Sequence, residues 1–221
     1  MKRRDLLRTG LLSSLGVLAI APFAKAEDIM CVKGLTPKQA KGPFYPIVDQ
    51  VDTDGDLIYL NGSSIQALGE IVIVEGIVTD QNCAPVKNAL VEIWQACHSG
   101  RYNHEADPNT AEIDPNFQYW GKAITDAKGF YRFRTIIPGA YPADVGWDRP
   151  PHIHFKIAAL KHKELITQMY FAGHELNDKD LILQDLAAED QKRVIVELKS
   201  SADQPHPVGQ FNIQIRKLTK T

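Results

Sequence analysis

Hydrophobic positions recur along this chain as short, β-branched blocks punctuated by turn residues, and helical spacing is rare. The block EIVIVEGIVTD (70–80) partly alternates and runs through Gln81-Asn82-Cys83-Ala84-Pro85 into NALVEIWQA (88–96), which predicts a hairpin or a sheet-to-sheet crossover. KAITD (122–126), FYRFRTI (130–136, after Asp126-Ala127-Lys128-Gly129), HIHFKIAAL (152–160), ELITQMYF (164–171), RVIVEL (193–198) and QFNIQIRKL (210–218) read as further strands. Many short strands with few helices predict an all-β fold, a single antiparallel β-sandwich domain with long active-site loops. One helical stretch, around DKDLILQDLAAED, reads as peripheral. Residues 27–69 are rich in Gly, Pro and Asp and read as an N-terminal arm packed on a core spanning 70–221.

Composition sets bounds on that picture. The 221 residues are 44% hydrophobic and 24% charged, enough for one globular domain with a sizeable core. Residues 1–26 stand apart: Lys2, Arg3, Arg4 and Arg8 precede an apolar run from Leu11 to Phe23, and Ala24-Lys25-Ala26 forms a small-residue cleavage pattern. This reads as an export signal removed after Ala26, with an apolar run too short for a membrane span. Arg3-Arg4 followed by Asp5-Leu6-Leu7 fits the twin-arginine type, which exports folded proteins with their cofactor inserted; an ordinary secretory leader is the plainer alternative. Either route delivers an exported protein, periplasmic or extracellular. The leader carries five basic residues and one acidic residue, so taking its +4 from the total of −2 leaves the mature chain near −6. That balance argues against a nucleic-acid or anionic-membrane surface. Cys31, Cys83 and Cys97 allow one disulfide and one free thiol, and the pairing is open.

Two segments between strands are rich in side chains that bind metals or protons. QACHSGRYNHEADPNTAEIDPNFQYWG (95–121) is long enough to mark a functional loop. IPGAYPADVGWDRPPHIHF (137–155) brings Tyr141, Trp147 and Arg149 up to His152 and His154. Alternate residues of a strand share a face, so the two imidazoles project together while Ile153 packs the other way. They can hold one metal ion, or they can be two partly exposed histidines satisfied by water or a carboxylate. His98, His104, His162, His174 and His206 fall in loops and read as solvated. A zinc or iron(II) site would recruit a carboxylate, and Asp148 and Asp144 are near. A cupin would place Glu shortly after the histidines, and HIHFKIAAL has none.

TPKQAKGPFYP (36–46), IQALGEIVIVEGIVTD (65–80), NALVEIWQACHSGRYNH (88–104), DPNFQYWGKAITDAKGFYRFRTIIPGAYP (114–142), RPPHIHFKI (149–157) and ELITQMYF (164–171) together give a chain that resembles the intradiol ring-cleavage dioxygenases, the protocatechuate 3,4-dioxygenase subunits above all. The resemblance implies a β-sandwich holding non-haem iron(III), Fe(3+), on Tyr102 of GRY, Tyr141 of PGAYP, and His152 and His154 of HIH. In family terms Tyr141 and His154 are axial, Tyr102 and His152 equatorial. Phenolate is a hard anionic donor that favours ferric over ferrous iron. Taken singly, each tyrosine reads equally as a core side chain with a satisfied hydroxyl. The family cleaves a catechol with O2 between its two hydroxylated carbons, giving a cis,cis-muconate, and the resemblance implies that Tyr141 is the catalytic residue that takes a substrate proton. Arg149 matches the arginine that contacts substrate and stabilises negative charge on the ring; the alternative is a surface ion pair with Asp148 or Asp144. Gln168 matches a substrate-pocket glutamine.

Departures from the family pattern bear on the substrate. PADVGW (142–147) lacks the longer insertion, bearing tryptophan and asparagine, of protocatechuate enzymes, which leaves the partner of a substrate carboxylate open. Cys97 stands where those enzymes carry Asn, and Pro151 replaces a small residue. The chain is too short for the helical N-terminal dimerisation region of catechol 1,2-dioxygenases. An export signal points to an extracytoplasmic catechol. Two competing classes stand beside the enzyme: a non-catalytic, transthyretin-like binding module, and an extracytoplasmic zinc or iron(II) hydrolase built on His152, His154 and Asp148. No stripe in the sequence marks an interface, so a homo-oligomer is left open.

Overall fold

The computed structural model describes residues 34–48, 50 and 52–218. The expected export signal and Cys31 lie outside the described residues. In chain order the strands are β1 (Ile71–Asp80), β2 (Leu90–Trp94), β3 (Trp120–Ile124), β4 (Phe130–Ile136), β5 (Tyr141–Asp144), β6 (Trp147–Arg149), β7 (His152–Ala158), β8 (Leu165–Phe171), β9 (Ile195–Val196), β10 (Leu198–Lys199), β11 (Val208–Gln210) and β12 (Ile213–Ile215). One sheet runs β3-β2-β7-β8-β9; the other runs β10-β11-β1-β12 with β4 also paired to β1; β5 and β6 form a separate hairpin.

The two sheets make the expected sandwich because period-two alternation gives each an apolar face. Val72, Val74 and Val78 of β1 and Tyr131 and Phe133 of β4 join Val91 and Ile93 of β2, Ile153, Phe155 and Ile157 of β7 and Met169 of β8 in one buried cluster. The Tyr131 and Phe155 rings meet across the sheets at 6.1 Å, and Phe211 packs on Phe155 at 4.9 Å. Each fully buried side chain of this size contributes about 1.5–3 kcal/mol through apolar burial. Residues before β1 are pinned to both sheets: Leu57 N–H donates to Arg134 O at 2.8 Å, and Gln39 N–H donates to Ile166 O at 2.9 Å.

Several elements differ from the sequence reading. The ladders are antiparallel except where β1 pairs with β11 and β12 and where β8 pairs with β9, all of which are parallel. The single strand expected at 210–218 is two, because β1 changes partner there; at the break Phe211 N–H donates to Glu75 O and the Asn212 side chain accepts Ile77 N–H. RVIVEL starts inside helix α2 (Ala188–Val194), where the Glu189–Lys192 and Asp190–Arg193 pairs at i,i+3 support helix, and only Ile195–Val196 reaches β8. The helical stretch is broken into a 3₁₀ turn (Asn177–Lys179), α1 (Leu181–Gln184) and α2. PADVGW, read as loop, is largely the β5–β6 hairpin. Cys83 is disulfide-bonded and Cys97 is a buried free thiol. Among the described residues no helix is long and apolar enough to cross a membrane.

Candidate metal centre

The site lies on the outer face of the β3-β2-β7-β8 sheet, and strand register builds it. Since Ile153, Phe155 and Ile157 fill the core, alternation turns His152, His154 and Lys156 outward. Register then sets Trp120 opposite Trp94, Trp94 opposite His154, and His154 opposite Gln168 in one row across four strands. The Trp94 indole stacks on the His154 imidazole at 4.8 Å with an interplanar angle of 10°. Tyr170 lies opposite His152.

The tyrosines arrive on two loops that touch. Gly100 holds φ +82°, and a Cβ there would sit 2.3 Å from Ala140 O. A Cβ on Gly139 would sit 2.4 Å from Gly100 N, and Gly139 N–H donates to Cys97 O at 2.9 Å. Only glycine allows this approach, which seats Tyr102 two residues after one crossing point and Tyr141 two residues after the other. Asp107 anchors the first loop by accepting Tyr102 N–H at 2.6 Å, and the hairpin register pairs Tyr141 with Arg149.

All four side chains expected to bind metal converge, and all are buried. Ring centroids are 5.7 Å apart for Tyr102–Tyr141, 5.7 Å for Tyr141–His152, 4.9 Å for His152–His154 and 6.3 Å for Tyr102–His154. The Tyr102 hydroxyl lies 3.4 Å from His152 Nε2. His152 Nδ1 is 2.7 Å from the Pro150 carbonyl, which can only accept, so Nδ1 carries the proton and Nε2 presents a lone pair. Arg149 NH1 donates to that lone pair at 3.0 Å. His154 Nδ1 is buried without a partner.

Burial, and then the Arg149 charge, hold both imidazoles well below their ordinary range and therefore neutral. Burial pushes Tyr102 well above the usual phenol value, aided by Tyr141; it also raises Tyr141, against the pull of Arg149. Two buried phenols and two uncharged imidazoles, with the Tyr102 hydroxyl and the His152 Nε2 lone pair 3.4 Å apart, are a donor set that fits a hard cation. Its charge would draw off the phenol protons that burial alone retains.

Arg149 is buried, and its partner is neither Asp148 nor Asp144, both of which are exposed. Instead its Nε donates to Asp180 Oδ1 at 3.0 Å, and its NH2 donates to Asp180 Oδ2, Gln168 Oε1 and Tyr170 OH at 3.0, 2.8 and 3.1 Å. Burial disfavours the guanidinium charge, but Asp180 outweighs it and the group stays protonated. Gln168 sits beside Arg149 and donates through Nε2 to Ala40 O at 2.9 Å. The exposure of Asp148 removes the carboxylate a zinc or iron(II) hydrolase would need, and among the described residues no three His, Cys, Asp or Glu side chains gather as a metal site. Trp94, Tyr170 and Asp180 escaped the sequence reading. Tyr170 was recoverable from its i+2 relation to Gln168; the other two depend on register and on a turn that no local pattern announces.

A family model described as Dioxygenase matches residues 40–217. The chain is 40% identical over 180 residues to the protocatechuate 3,4-dioxygenase beta chain of Burkholderia cepacia, covering 79% of this chain and 76% of that one. It is 33% identical over 162 residues to catechol 1,2-dioxygenase of Acinetobacter baylyi, covering 67% of this chain and 50% of that enzyme, so it spans about half of that relative. Among solved structures, the dioxygenase domain of a dioxygenase carbohydrate-binding protein fusion from Streptomyces sp. SirexAA-E superposes with a TM-score of 0.62 at 27% identity, covering 83% of this chain and 99% of that one. A family match over most of its length and a close relative across most of both chains make this protein a member of the intradiol ring-cleavage dioxygenases.

Proposed function

We propose that this chain is an exported, non-haem iron(III) enzyme that opens the ring of a protocatechuate-like or otherwise substituted catechol between its hydroxylated carbons, giving a cis,cis-muconate-type product. The observation that carries the reading is the convergence of Tyr102, Tyr141, His152 and His154, buried, around one space beside a buried Arg149. Those four side chains would hold the ion, whose Lewis acidity lowers the pKa of catechol hydroxyls. As the phenolate that the ion would hold, Tyr141 would take one substrate proton, favoured by the burial that raises its proton affinity and opposed by the Arg149 charge. Arg149 NH1, the guanidinium nitrogen facing the cluster, stabilises negative charge that develops on the ring. Gln168, the expected substrate-pocket glutamine, would act through Arg149, which it holds by accepting from NH2. Trp94 and Phe44 exclude water: Phe44 lies 4.7 Å from the Tyr102 ring, and Trp94 covers His154.

Purified protein is expected to carry about one iron per chain, to be burgundy from a broad tyrosinate-to-iron band that Tyr102→Phe weakens and shifts, and to consume O2 with a substituted catechol. A colourless zinc-loaded protein would overturn the metal assignment; an iron-loaded protein that takes up no O2 with any of a panel of catechols would make it a binding module. Export rests on the basic and apolar pattern of residues 1–26. Cell fractionation is expected to find the protein outside the cytoplasm, and a cytoplasmic protein would overturn export; replacing Arg3-Arg4 by Lys-Lys should block export if the route is twin-arginine, and secretion unaffected by that change would assign the general secretory route.

A further inference from the structure

The guanidinium of Arg149 meets one charged partner, Asp180, while Gln168 and Tyr170 add neutral acceptors at NH2. Its Nε and NH2 edge meets Asp180 in a two-point fork, Nε to Oδ1 and NH2 to Oδ2, both at 3.0 Å, while NH1 on the opposite corner faces His152. A planar guanidinium bound through two nitrogens to a carboxylate cannot rotate about its long axis, so the fork decides where NH1 points. Asp180 is fixed in turn. It is fully buried, Oδ1 accepts from Trp147 Nε1 at 3.3 Å, and Oδ2 accepts from Leu183 N–H at 3.1 Å. The carboxylate therefore ties the β5–β6 hairpin and the start of α1 to the arginine. Capping α1 does not by itself require Asp, since Asn and Ser cap equally well, but neither offers a guanidinium two charged acceptors.

We propose that Asp180 is a positioning residue for the ring-cleavage reaction, pinning Arg149 so that NH1 meets charge developing on the substrate. The proposal rests on the assignment of Arg149 above. Its test uses the iron-loaded full-length enzyme as Asp180→Asn, Asp180→Ser, Arg149→Gln and the Arg149→Gln/Asp180→Asn double variant, with kcat, KM, iron content, visible spectrum and melting temperature measured for each. Both Asp180 variants keep the cap. They are expected to lose about tenfold or more in kcat, with KM changed by less than about threefold and iron content and visible band retained. Added to Arg149→Gln, Asp180→Asn should lower kcat no further. An equal proportional loss in both backgrounds, or a loss that tracks missing iron, would show a merely structural residue and overturn the proposal. Wild-type kcat in Arg149→Gln would instead remove the Arg149 assignment, whatever Asp180 does. If neither Asp180 variant folds, Asp180→Glu decides, because it keeps the buried charge but displaces the carboxylate of the fork by one methylene: a kcat loss that vanishes on Arg149→Gln supports the proposal, and an unchanged or Arg149-independent kcat sinks it.

Discussion

His154 is oriented by a ring rather than a hydrogen bond. Its Nδ1 has no partner, whereas His152 is fixed by the Pro150 carbonyl, so the near-parallel Trp94 face is what sets the plane of the His154 imidazole. Outer-sphere contacts of metal-bound histidines are typically worth 10–100-fold in metal affinity. Trp94→Leu should accordingly release iron to a chelator at about tenfold lower chelator concentration, and Trp94→Phe should recover most of the difference. Iron retained by both variants as firmly as by wild type would rule out orientation by stacking. At this scale Tyr102, Tyr141, His152, His154, Arg149 and Gln168 were all legible, because their spacing follows a family order and HIH shares a strand face. Trp94 was not, since a tryptophan in an apolar strand looks the same whether it faces the core or a histidine.

Between elements, the decisive contact is that of the two tyrosine-bearing loops at Gly100 and Gly139. Gly139→Ala puts a methyl where the Gly100 nitrogen and the His98 carbonyl already stand, at 2.4 and 2.5 Å, so one loop must move. Because the loops lie outside the sandwich core, the cost is an overpacking strain of about 1–3 kcal/mol, with the sheets intact. The expected result is a normal far-ultraviolet circular dichroism spectrum, a lower melting temperature, and a visible tyrosinate band shifted or weakened. A wild-type band in Gly139→Ala would show that the approach of the loops does not set the tyrosine pair. The strands of the core were readable because period-two alternation is local. The β5–β6 hairpin, the split of the last strand and the broken helix were not: each is set by a partner distant in sequence, such as β1 changing neighbours or Asp180 capping α1.

Across the whole molecule, stability and site are built on opposite faces of the same sheet. Tyr131 is one of the side chains that close the sandwich: its hydroxyl donates to Phe211 O while its ring meets Phe155 of the facing sheet. Burial, then Glu75, pushes it well above the ordinary phenol value of about 10. With the folded pKa raised, the unfolded chain releases this proton first. The contribution is therefore complete below about pH 10 and is lost as pH rises beyond it. Urea midpoints of the metal-free protein should hold to about pH 9.5 and then fall. Tyr131→Phe should start lower by about 1–3 kcal/mol, from the unpaired Phe211 carbonyl, and decline less steeply by up to about 1.4 kcal/mol per pH unit. Parallel declines in the two proteins would exclude Tyr131 as a source of the alkaline limit.

Alternation and turn residues in the sequence determined a β-sandwich, and the order of GRY, PGAYP and RPPHIHF determined which residues could meet a metal. Both are properties of short stretches, fixed by backbone periodicity and by side-chain chemistry. The tertiary structure alone decided which strand faces His154, that two glycines let the tyrosine loops touch, and that the buried partner of Arg149 is Asp180, 31 positions away, rather than its neighbour Asp148. Those outcomes depend on register and burial. A buried charge needs a buried partner, and only the folded chain determines which carboxylate is there to meet it.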